Sequence, residues 1–284
     1  VDSYYNLEYL SQVLYWHAVW VSKLQILNLE TPNVQIIECD LSPPHRKLYH
    51  KVMNERLLEV DGEIIDARAA QKLRQVALQI ISVPEQFEDN FDPNNNSVYA
   101  TVEALLDSIN TDKEKVVLFS NYVRTVDSLA HRFKSLHPAK VYGPNGPARN
   151  ALEIERFHEQ DSCRILIAHP AAGGVGAKLG DVSTTLIFVE PVSTPGLFDQ
   201  CLSRIMLIGQ KEPVVCYIVN VRGTISPLAT ENMLKKVPNI NSVMGTKRSL
   251  FDALLGKPID YAAGPYELTD DIEDADWEEL ALAA

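Results

Sequence analysis

Two stretches of the sequence carry residue types that can handle phosphate groups. The first is the glycine-rich loop that follows the apolar run ILIA and contains His169, Gly173, Gly174, Gly176 and Lys178. Glycines let a backbone approach a phosphate closely and point its amides at it. Open α/β sheets bind ligands at the carboxyl ends of their strands, where such a loop would lie. On its own, the loop is equally compatible with a tight turn.

The second stretch is QCLSRIMLIGQ, which runs from Gln200 to Gln210 and follows a proline-containing turn. An arginine on a helix that faces a cleft can neutralise charge on a transferring γ-phosphate when another domain presents the nucleotide. Arg204 has the position for this role. The alternative is an ordinary salt bridge on a helix surface, and Arg204 alone does not decide between them.

Helices and strands must alternate in order to position these stretches. Between residues 98 and 226 the apolar runs KVVLFS, AKVYG, CRILIAH, TTLIFVE and PVVCYIVNV predict strands, and the amphipathic stretches between them predict helices. Continuous apolar strands separated by helices are typical of a parallel sheet covered on both faces. The sequence therefore predicts an open α/β fold, with the loops at the carboxyl ends of its strands gathered at one edge.

A different pattern precedes this region. Residues 4–27 have helical periodicity, and residues 34–40 predict a strand. Ser42, followed by two prolines, is expected to start a long amphipathic helix that runs to residue 60, and a second helix is expected over 66–82. The polar stretch 88–97 predicts a boundary. We expect a mainly helical lead-in over 1–96, an α/β lobe over 97–226, a helical extension over 227–260 and an acidic tail over 261–284.

Composition excludes several classes of protein. The net charge of −12 argues against a protein that coats nucleic acid through overall positive charge. The tail holds eight acidic and no basic residues, so it is either a solvated end or a peptide that docks on a protein. The four cysteines lack paired spacing, which favours buried free thiols in a reducing, intracellular compartment. Neither a metal pattern nor a membrane-spanning segment is expected.

The order of the motifs carries a family resemblance. Five motifs follow one another along the chain: KVVLFSNYVRTVD, VYGPNGPARNALEIERF, ILIAHPAAGGVGAKL, LIFVEP and QCLSRIMLIGQ, the last followed by VVCYIVNVRGTI. Together they resemble the carboxyl-terminal RecA-like lobe of Swi/Snf-type, superfamily-two helicase-like ATPases. The resemblance covers roughly residues 35–226. It implies a RecA-like parallel sheet.

The resemblance also implies roles for particular residues. In this family two RecA-like lobes hold ATP and Mg²⁺ between them and track along duplex DNA, mainly through its phosphates. The residues whose positions match contacts with the DNA backbone are Ser120, Asn121, Tyr122, Gly143, His169, Gly173 and Lys178. Those that match contacts with the nucleotide are Gly174, Gly176, Gln200 and Arg204, with Arg204 as an arginine finger.

The chain departs from the family pattern at several of these motifs. Leu207 stands where a second arginine is usual, and leucine cannot neutralise phosphate charge. Pro144 and Pro170 replace hydroxyl residues, and proline has neither a hydroxyl nor a backbone N–H to donate. Lys178 replaces an asparagine and can restore one phosphate contact through its charge. The expected DNA and nucleotide chemistry is thereby thinned.

Two functional hypotheses follow. The sequence has no GxxxxGK[ST] loop and no Asp-Glu pair after an apolar strand, so we expect this chain to be inactive alone. The first hypothesis is a lobe of a DNA-dependent ATPase or translocase that works with a first RecA-like lobe, in its parent chain or a partner. It would act in the nucleus or in DNA-containing cytoplasm. The second hypothesis is a non-hydrolysing scaffold or binding module with a degenerate helicase-like fold.

Overall fold

The structure is a computed structural model of the chain. It describes residues 32–55, 57–60, 63–66, 70–109, 111, 114–172, 178–192, 194–207, 210 and 212–235, together with Tyr9 and Val13. The predicted helix over 4–27 (those two residues apart), the glycines of the loop 173–177, most of the extension 227–260 and the acidic tail lie outside the described residues.

Six parallel strands form the central sheet. The described strands are β1 (Asn33–Asp40), β2 (Leu57–Val60), β3 (Glu63–Asp66), β4 (Val116–Phe119), β5 (Ala139–Val141), β6 (Ile165–Ala168), β7 (Thr185–Phe188) and β8 (Val215–Arg222). The order in the sheet is β1-β8-β7-β4-β6-β5, and β2 and β3 form a separate antiparallel hairpin. Every pairing in the six-stranded sheet is parallel, which confirms the predicted α/β fold class.

Helices cover both faces of this sheet. They are α1 (Pro43–Glu55), α2 (Ala70–Ser82), α3 (Ser97–Ser108), α4 (Val123–Arg132), α5 (Gly146–Glu159), α6 (Pro195–Ile205) and α7 (Ser226–Lys235). Helices α1 to α4 supply buried residues to one hydrophobic core, and α5, α6 and α7 supply them to a second. No helix in the described ranges is long and apolar enough to cross a membrane.

The central strands explain why there are two cores. In β4, Val116 and Leu118 belong to the first core, whereas Val117 and Phe119 belong to the second. Successive side chains of a strand point to opposite faces, so a strand buried on both sides must be apolar throughout. All four side chains are essentially inaccessible to solvent, which is why these strands appear in the sequence as unbroken apolar runs.

Two predicted helices end earlier than expected. The helix that begins at Ser42 was predicted to reach residue 60, but α1 ends at Glu55 and residues 57–60 form β2. The prediction was wrong because Asp61-Gly62, between two β-prone runs, is a hairpin turn signal that outweighs helical periodicity. The stretch PGLFDQCLSRIMLIG predicts a helix over 195–209, but α6 ends at Ile205, so Met206 and Leu207 follow it in extended or irregular backbone.

The stretch predicted as a boundary is an ordered junction. The Ser42 hydroxyl donates to the carbonyl oxygen of Asn95 over 2.6 Å, and its backbone N–H donates to the Ser97 hydroxyl over 2.7 Å. Asn96 is fully buried and caps α3, while its amide donates to the Ser82 carbonyl oxygen over 3.0 Å. Phe91 packs in the core shared by α1 and α3. Residues 82–97 therefore tie α1 and α2 to the sheet.

Candidate functional site

Four loops meet at the carboxyl-terminal edge of the sheet. The Ser120 N–H donates to the carbonyl oxygen of Ala168 over 3.0 Å, and the His169 N–H donates to that of Val141 over 2.9 Å. The Val189 N–H donates to the Phe119 carbonyl oxygen, also over 2.9 Å. These bonds extend the strand ladders by one residue each. The loops after β4, β5, β6 and β7 therefore leave the sheet in a fixed relation to one another.

A buried carboxylate holds the loop after β4. Glu190 follows β7 and is 2% exposed. One of its oxygens accepts from the Ser120 hydroxyl over 3.0 Å, and the other accepts from the backbone N–H of Asn121, also over 3.0 Å. The Asn121 side-chain amide donates to the carbonyl oxygen of Pro191 over 3.1 Å. The β7–α6 loop thus grips the β4–α4 loop at three points.

Burial changes the acidity of this site. Burial raises the pKa of Glu190 to about 6, against the lowering effect of the hydrogen bonds from the Asn121 N–H and the Ser120 hydroxyl. Burial, with the nearby charge of Glu190, also raises the pKa of the Tyr122 hydroxyl, which keeps that hydroxyl protonated as a hydrogen-bond donor. The Glu190 carboxyl beneath the loop 120–122 can therefore be either neutral or negatively charged near pH 6.

The predicted DNA-contact residues of this edge differ in exposure. Ser120 is fully buried with its hydroxyl directed at Glu190, whereas Asn121 and Tyr122 are half-buried. Gly143 is exposed at the start of a short 3-10 turn, and a Cβ added there would meet nothing within 4 Å. His169 is half-buried, and its Nδ1 accepts from the Ala171 N–H over 3.2 Å. The structure therefore gathers four of these residues on one accessible edge, with Ser120 behind them.

Helix α6 carries the predicted nucleotide contacts away from this edge. Its N-cap Thr194 accepts from the Leu197 N–H over 3.3 Å, and Pro195 occupies the first helical position. The helix starts after the carboxyl end of β7 and leads back to the amino end of β8. Gln200 is exposed midway, and Arg204 is half-buried in the last turn. Arg204 therefore lies toward the opposite edge of the sheet from Ser120.

The polar atoms at the end of α6 lack acceptors. The Nε atom of Arg204 is buried and has no hydrogen-bond partner in the part of the chain that the structure describes. The same holds for the side-chain nitrogen of Gln210. Cys201 lies about one turn before Arg204. Burial raises the pKa of its thiol to about 12, although the charge of Arg204 lowers it. Two buried donors without acceptors are costly in a folded protein and mark an incomplete polar site.

The segment after the glycine loop packs directly on this end of α6. Lys178 is exposed and starts a 3-10 turn over Leu179–Asp181. A Cβ on Gly180 would lie 2.0 Å from the Ile205 carbonyl oxygen and 2.8 Å from the Leu207 Cγ atom. Only glycine permits so close an approach. Lys178 is thereby placed next to the helix end that carries Arg204.

Leu207, which replaces an expected arginine, has a packing role. Its side chain lies against Gly180, and its N–H donates to the Gln210 Oε1 atom over 3.1 Å. The backbone N–H of Gln210 donates back to the Leu207 carbonyl oxygen over 3.3 Å. These contacts form a closed turn after α6.

Sequence reasoning missed Glu190 as a site residue. The one available signal is an acid placed directly after a buried apolar strand and before a proline, at the edge where the site residues gather. Gly173, Gly174 and Gly176 lie outside the described residues. In the ranges the structure describes, no group of three or more His, Cys, Asp or Glu side chains could hold a metal ion.

The all-parallel six-stranded sheet with helices on both faces is a RecA-like α/β fold. No protein-family model matches the chain. The DNA repair and recombination protein RAD54 of Saccharomyces cerevisiae is 24% identical over 245 residues, which are 76% of this chain and 27% of that protein. The CHD3-type chromatin-remodeling factor CHR7 of Arabidopsis thaliana is 25% identical over 262 residues, covering 86% and 22%. The chain thus spans about a quarter of these relatives.

Solved structures agree with these relatives. The C-terminal part of the Fun30 ATPase domain superposes with a TM-score of 0.57 at 18% identity, covering 72% of this chain and 89% of that one. The Sulfolobus solfataricus SWI2/SNF2 ATPase C-terminal domain gives 0.53 at 15% identity, covering 78% and 96%. The chain therefore has the fold of the carboxyl-terminal RecA-like lobe of these Swi/Snf-type ATPases, the fold that the motif order predicted.

Proposed function

We propose that this chain is the second lobe of a DNA-dependent ATPase or translocase and acts only with a first RecA-like lobe. The observation that carries the proposal is the pair of acceptor-free buried donors, Arg204 Nε and Gln210 Nε2, at the end of α6. A nucleotide triphosphate presented by another lobe would supply the missing acceptors. Arg204 would then neutralise charge that develops on the transferring phosphoryl group.

The residues fit the phosphate part of ATP but offer nothing for Mg²⁺. Arg204 supplies a permanent positive charge and forked donors, which match phosphate oxygens in geometry and sign. Gln200 is exposed one turn earlier on the same helix and can donate or accept beside it. Because the described residues hold no metal-ligand cluster, the metal would have to be held by the first lobe.

DNA binding is assigned to the carboxyl-terminal edge and the segment after the glycine loop. Asn121, Tyr122, Gly143 and His169 present amide, phenol, backbone and imidazole groups on one accessible edge, with Ser120 fixing their loop from behind. Such groups bind phosphates and set register without reading sequence. Lys178 would add one charged phosphate contact. A Sulfolobus SWI2/SNF2 ATPase core in complex with dsDNA has this fold over 79% of the present chain, with a TM-score of 0.55 at 17% identity.

The cellular role of the parent protein follows from the same assignment. The relatives include a chromatin remodelling factor and a DNA repair and recombination protein, which favours a nucleus or another DNA-containing compartment for this chain. The acidic tail 261–284 has the charge of a peptide that docks on a basic protein surface.

A scaffold without ATPase activity is the second candidate, and Leu207 favours it. At this position an expected arginine is replaced by a side chain that packs on Gly180, and its backbone is tied to Gln210. The turn is therefore built around leucine. A lobe with one arginine finger in place of two would stabilise the transition state less.

Duplex-DNA-stimulated ATP hydrolysis by the full-length protein distinguishes the two candidates. We expect Arg204→Ala to lower kcat by about 10³-fold while the fold is retained, because arginine fingers contribute on that scale. The matched control is Arg149→Ala, which removes a 64% exposed arginine from α5 that pairs with Glu153 at 3.0 Å. We expect the control to retain its rate.

Two outcomes would contradict the nucleotide assignment. If the full-length protein hydrolyses ATP and Arg204→Ala leaves kcat unchanged, Arg204 does not reach the nucleotide. If the full-length protein hydrolyses no ATP with any duplex DNA, the scaffold is the correct function.

A further inference from the structure

Glu190 is a buried carboxylate that has no cation beside it. In the described part of the chain no Lys, Arg or His nitrogen lies within ion-pair distance of its oxygens, and the side chain is 2% exposed. A buried charge without a partner is unfavourable unless hydrogen bonds compensate for the lost water. All the donors that compensate Glu190 have to come from its immediate surroundings.

Those donors come from the loop that faces the proposed DNA edge. The Ser120 hydroxyl and the Asn121 N–H each donate to a separate Glu190 oxygen over 3.0 Å. The Ser120 oxygen in turn accepts from the Tyr122 N–H over 3.3 Å. Three consecutive residues of the loop are therefore arranged around one carboxylate that belongs to a different loop.

Other elements face the same pocket, but none of their described side chains forms an ion pair with Glu190. Burial raises the pKa of the Tyr122 hydroxyl and the charge of Arg74 on α2 lowers it, while Ser82 at the end of α2 and Thr125 in α4 are buried near Glu190. Tyr99 of α3 lies close enough for the Glu190 charge to raise the pKa of its hydroxyl, after burial and the nearer Glu85. Glu85 itself accepts from Tyr99 over 3.2 Å and from the Ser128 hydroxyl over 2.9 Å.

We propose that Glu190 is a positioning residue that sets the conformation of the loop 120–122 and thereby its grip on a DNA phosphate. The assignment rests on the proposed DNA-binding function and adds a dependence on one buried carboxylate. The ionised form accepts both donors fully. Once protonated, one of its oxygens becomes a hydroxyl and a poor acceptor, so the Asn121 N–H or the Ser120 hydroxyl loses its partner.

The first test measures the contact between Glu190 and the loop 120–122 in the absence of DNA. The amide proton of Asn121 donates directly to Glu190, so its NMR chemical shift in the 284-residue chain should titrate with a midpoint near pH 6. In Glu190→Gln the same amide should show no such step. Glutamine has the size of the protonated acid, so the variant is expected to fold.

The second test measures how the contact changes the affinity for duplex DNA. We expect Glu190→Gln to weaken duplex binding by roughly tenfold at pH 8, the scale of one charge-assisted hydrogen bond. Fluorescence anisotropy should then show the ratio of the two Kd values approaching one at pH 5, since the wild-type carboxylate is protonated there. Any other pH-dependent group affects both proteins alike, so the ratio removes its contribution.

Glu153→Gln is the matched control because Glu153 is a second buried acid, 8% exposed, that pairs with Arg156 on α5. Its Kd ratio to wild type should stay near one at every pH. A Glu190→Gln ratio that is constant with pH, or an Asn121 amide that does not titrate in the wild type, would overturn the assignment. If the wild type binds no duplex DNA, the DNA-binding proposal fails, and the Asn121 titration alone then decides whether Glu190 holds the loop.

Discussion

The carboxyl-terminal edge and the end of α6 satisfy their polar groups in opposite ways. At the edge, Ser120 and Asn121 find acceptors inside the chain, and Glu190 finds donors there. At the end of α6, Arg204 and Gln210 hold buried nitrogens for which the described residues provide no acceptor. Both regions lie on one rigid sheet, so the contrast is not one of general order.

The difference indicates which of the two surfaces this lobe completes by itself. A loop whose hydrogen bonds are already made binds a ligand with little further ordering, so the edge is preorganised. Donors left without acceptors gain most when an external group supplies those acceptors. On the proposed function, the loop 120–122 is held by contacts within this lobe, whereas the acceptors for Arg204 and Gln210 would be supplied by another lobe.

The largest expected loss in the free energy of unfolding comes from a substitution that disrupts the packing at the end of α6. Gly180→Ala would place a Cβ 2.0 Å from a backbone oxygen of Ile205, which cannot move without shifting the helix end. We expect the free energy of unfolding to fall by about 3 kcal/mol, the upper range for overpacking. Urea denaturation of the chain measures it.

Gly143→Ala is the control for that change, because a Cβ at Gly143 meets nothing within 4 Å and its φ is not positive. Its effect should stay within about 0.5 kcal/mol. Equal losses for the two glycines would mean that the close approach of Gly180 to α6 does not stabilise the fold.

A smaller effect is expected in how the free energy of unfolding depends on pH, through Glu190 at the carboxyl-terminal edge. The folded-state pKa of Glu190 is raised from 4.5 to about 6 by burial, so the folded protein holds this proton more tightly than the unfolded chain. The stabilisation is complete below pH 4.5 and is lost as the pH rises through 6. The loss is about 2 kcal/mol, since one pKa unit corresponds to about 1.4 kcal/mol.

Urea unfolding of wild type and Glu190→Gln at pH 4.5 and at pH 7.5 isolates this contribution. The variant cannot lose a proton at position 190, so the wild type should fall by about 2 kcal/mol relative to it over this range. Glu153 should behave oppositely: burial would raise its pKa, but the hydrogen bond and charge of Arg156 lower it. A wild-type-to-Glu190→Gln difference that does not change with pH would show that the Glu190 carboxylate is as easily ionised as in water.

The sequence predicted the central strands well because each is buried on both faces. β4 and β6 are four-residue apolar runs, and in β7 three apolar residues follow Thr185. None of these side chains is exposed, and such runs stand out against amphipathic helices. The sequence did not predict the hairpin β2–β3, because Leu57 and Leu58 continue the helical spacing of α1 up to the Asp61-Gly62 turn signal.

Of the candidate site, the sequence predicts only the residues that belong to a recognised motif. The order of motifs predicts Gln200, Arg204 and the loop residues as candidates, since their spacing is a property of the chain. The hydrogen bond between Glu190 and Ser120 spans 70 positions, and the contact between Gly180 and Ile205 joins the turn 179–181 to the end of α6. Contacts of this kind depend on how strands are ordered in the sheet, and local periodicity holds no information about that order.

The smallest expected effect tests whether the segment beside α6 also touches DNA. Lys178 is exposed next to the packed turn 179–181, and its replacement by alanine should weaken duplex binding a few-fold and equally for all sequences. Loss of one phosphate contact should lower the slope of log K against log salt by about one. Lys134→Ala is the control, because Lys134 is equally exposed but follows α4 on the opposite face of the sheet. An unchanged slope for Lys178→Ala, or the same change for both lysines, would confine DNA contact to the carboxyl-terminal edge and leave the end of α6 to the nucleotide alone.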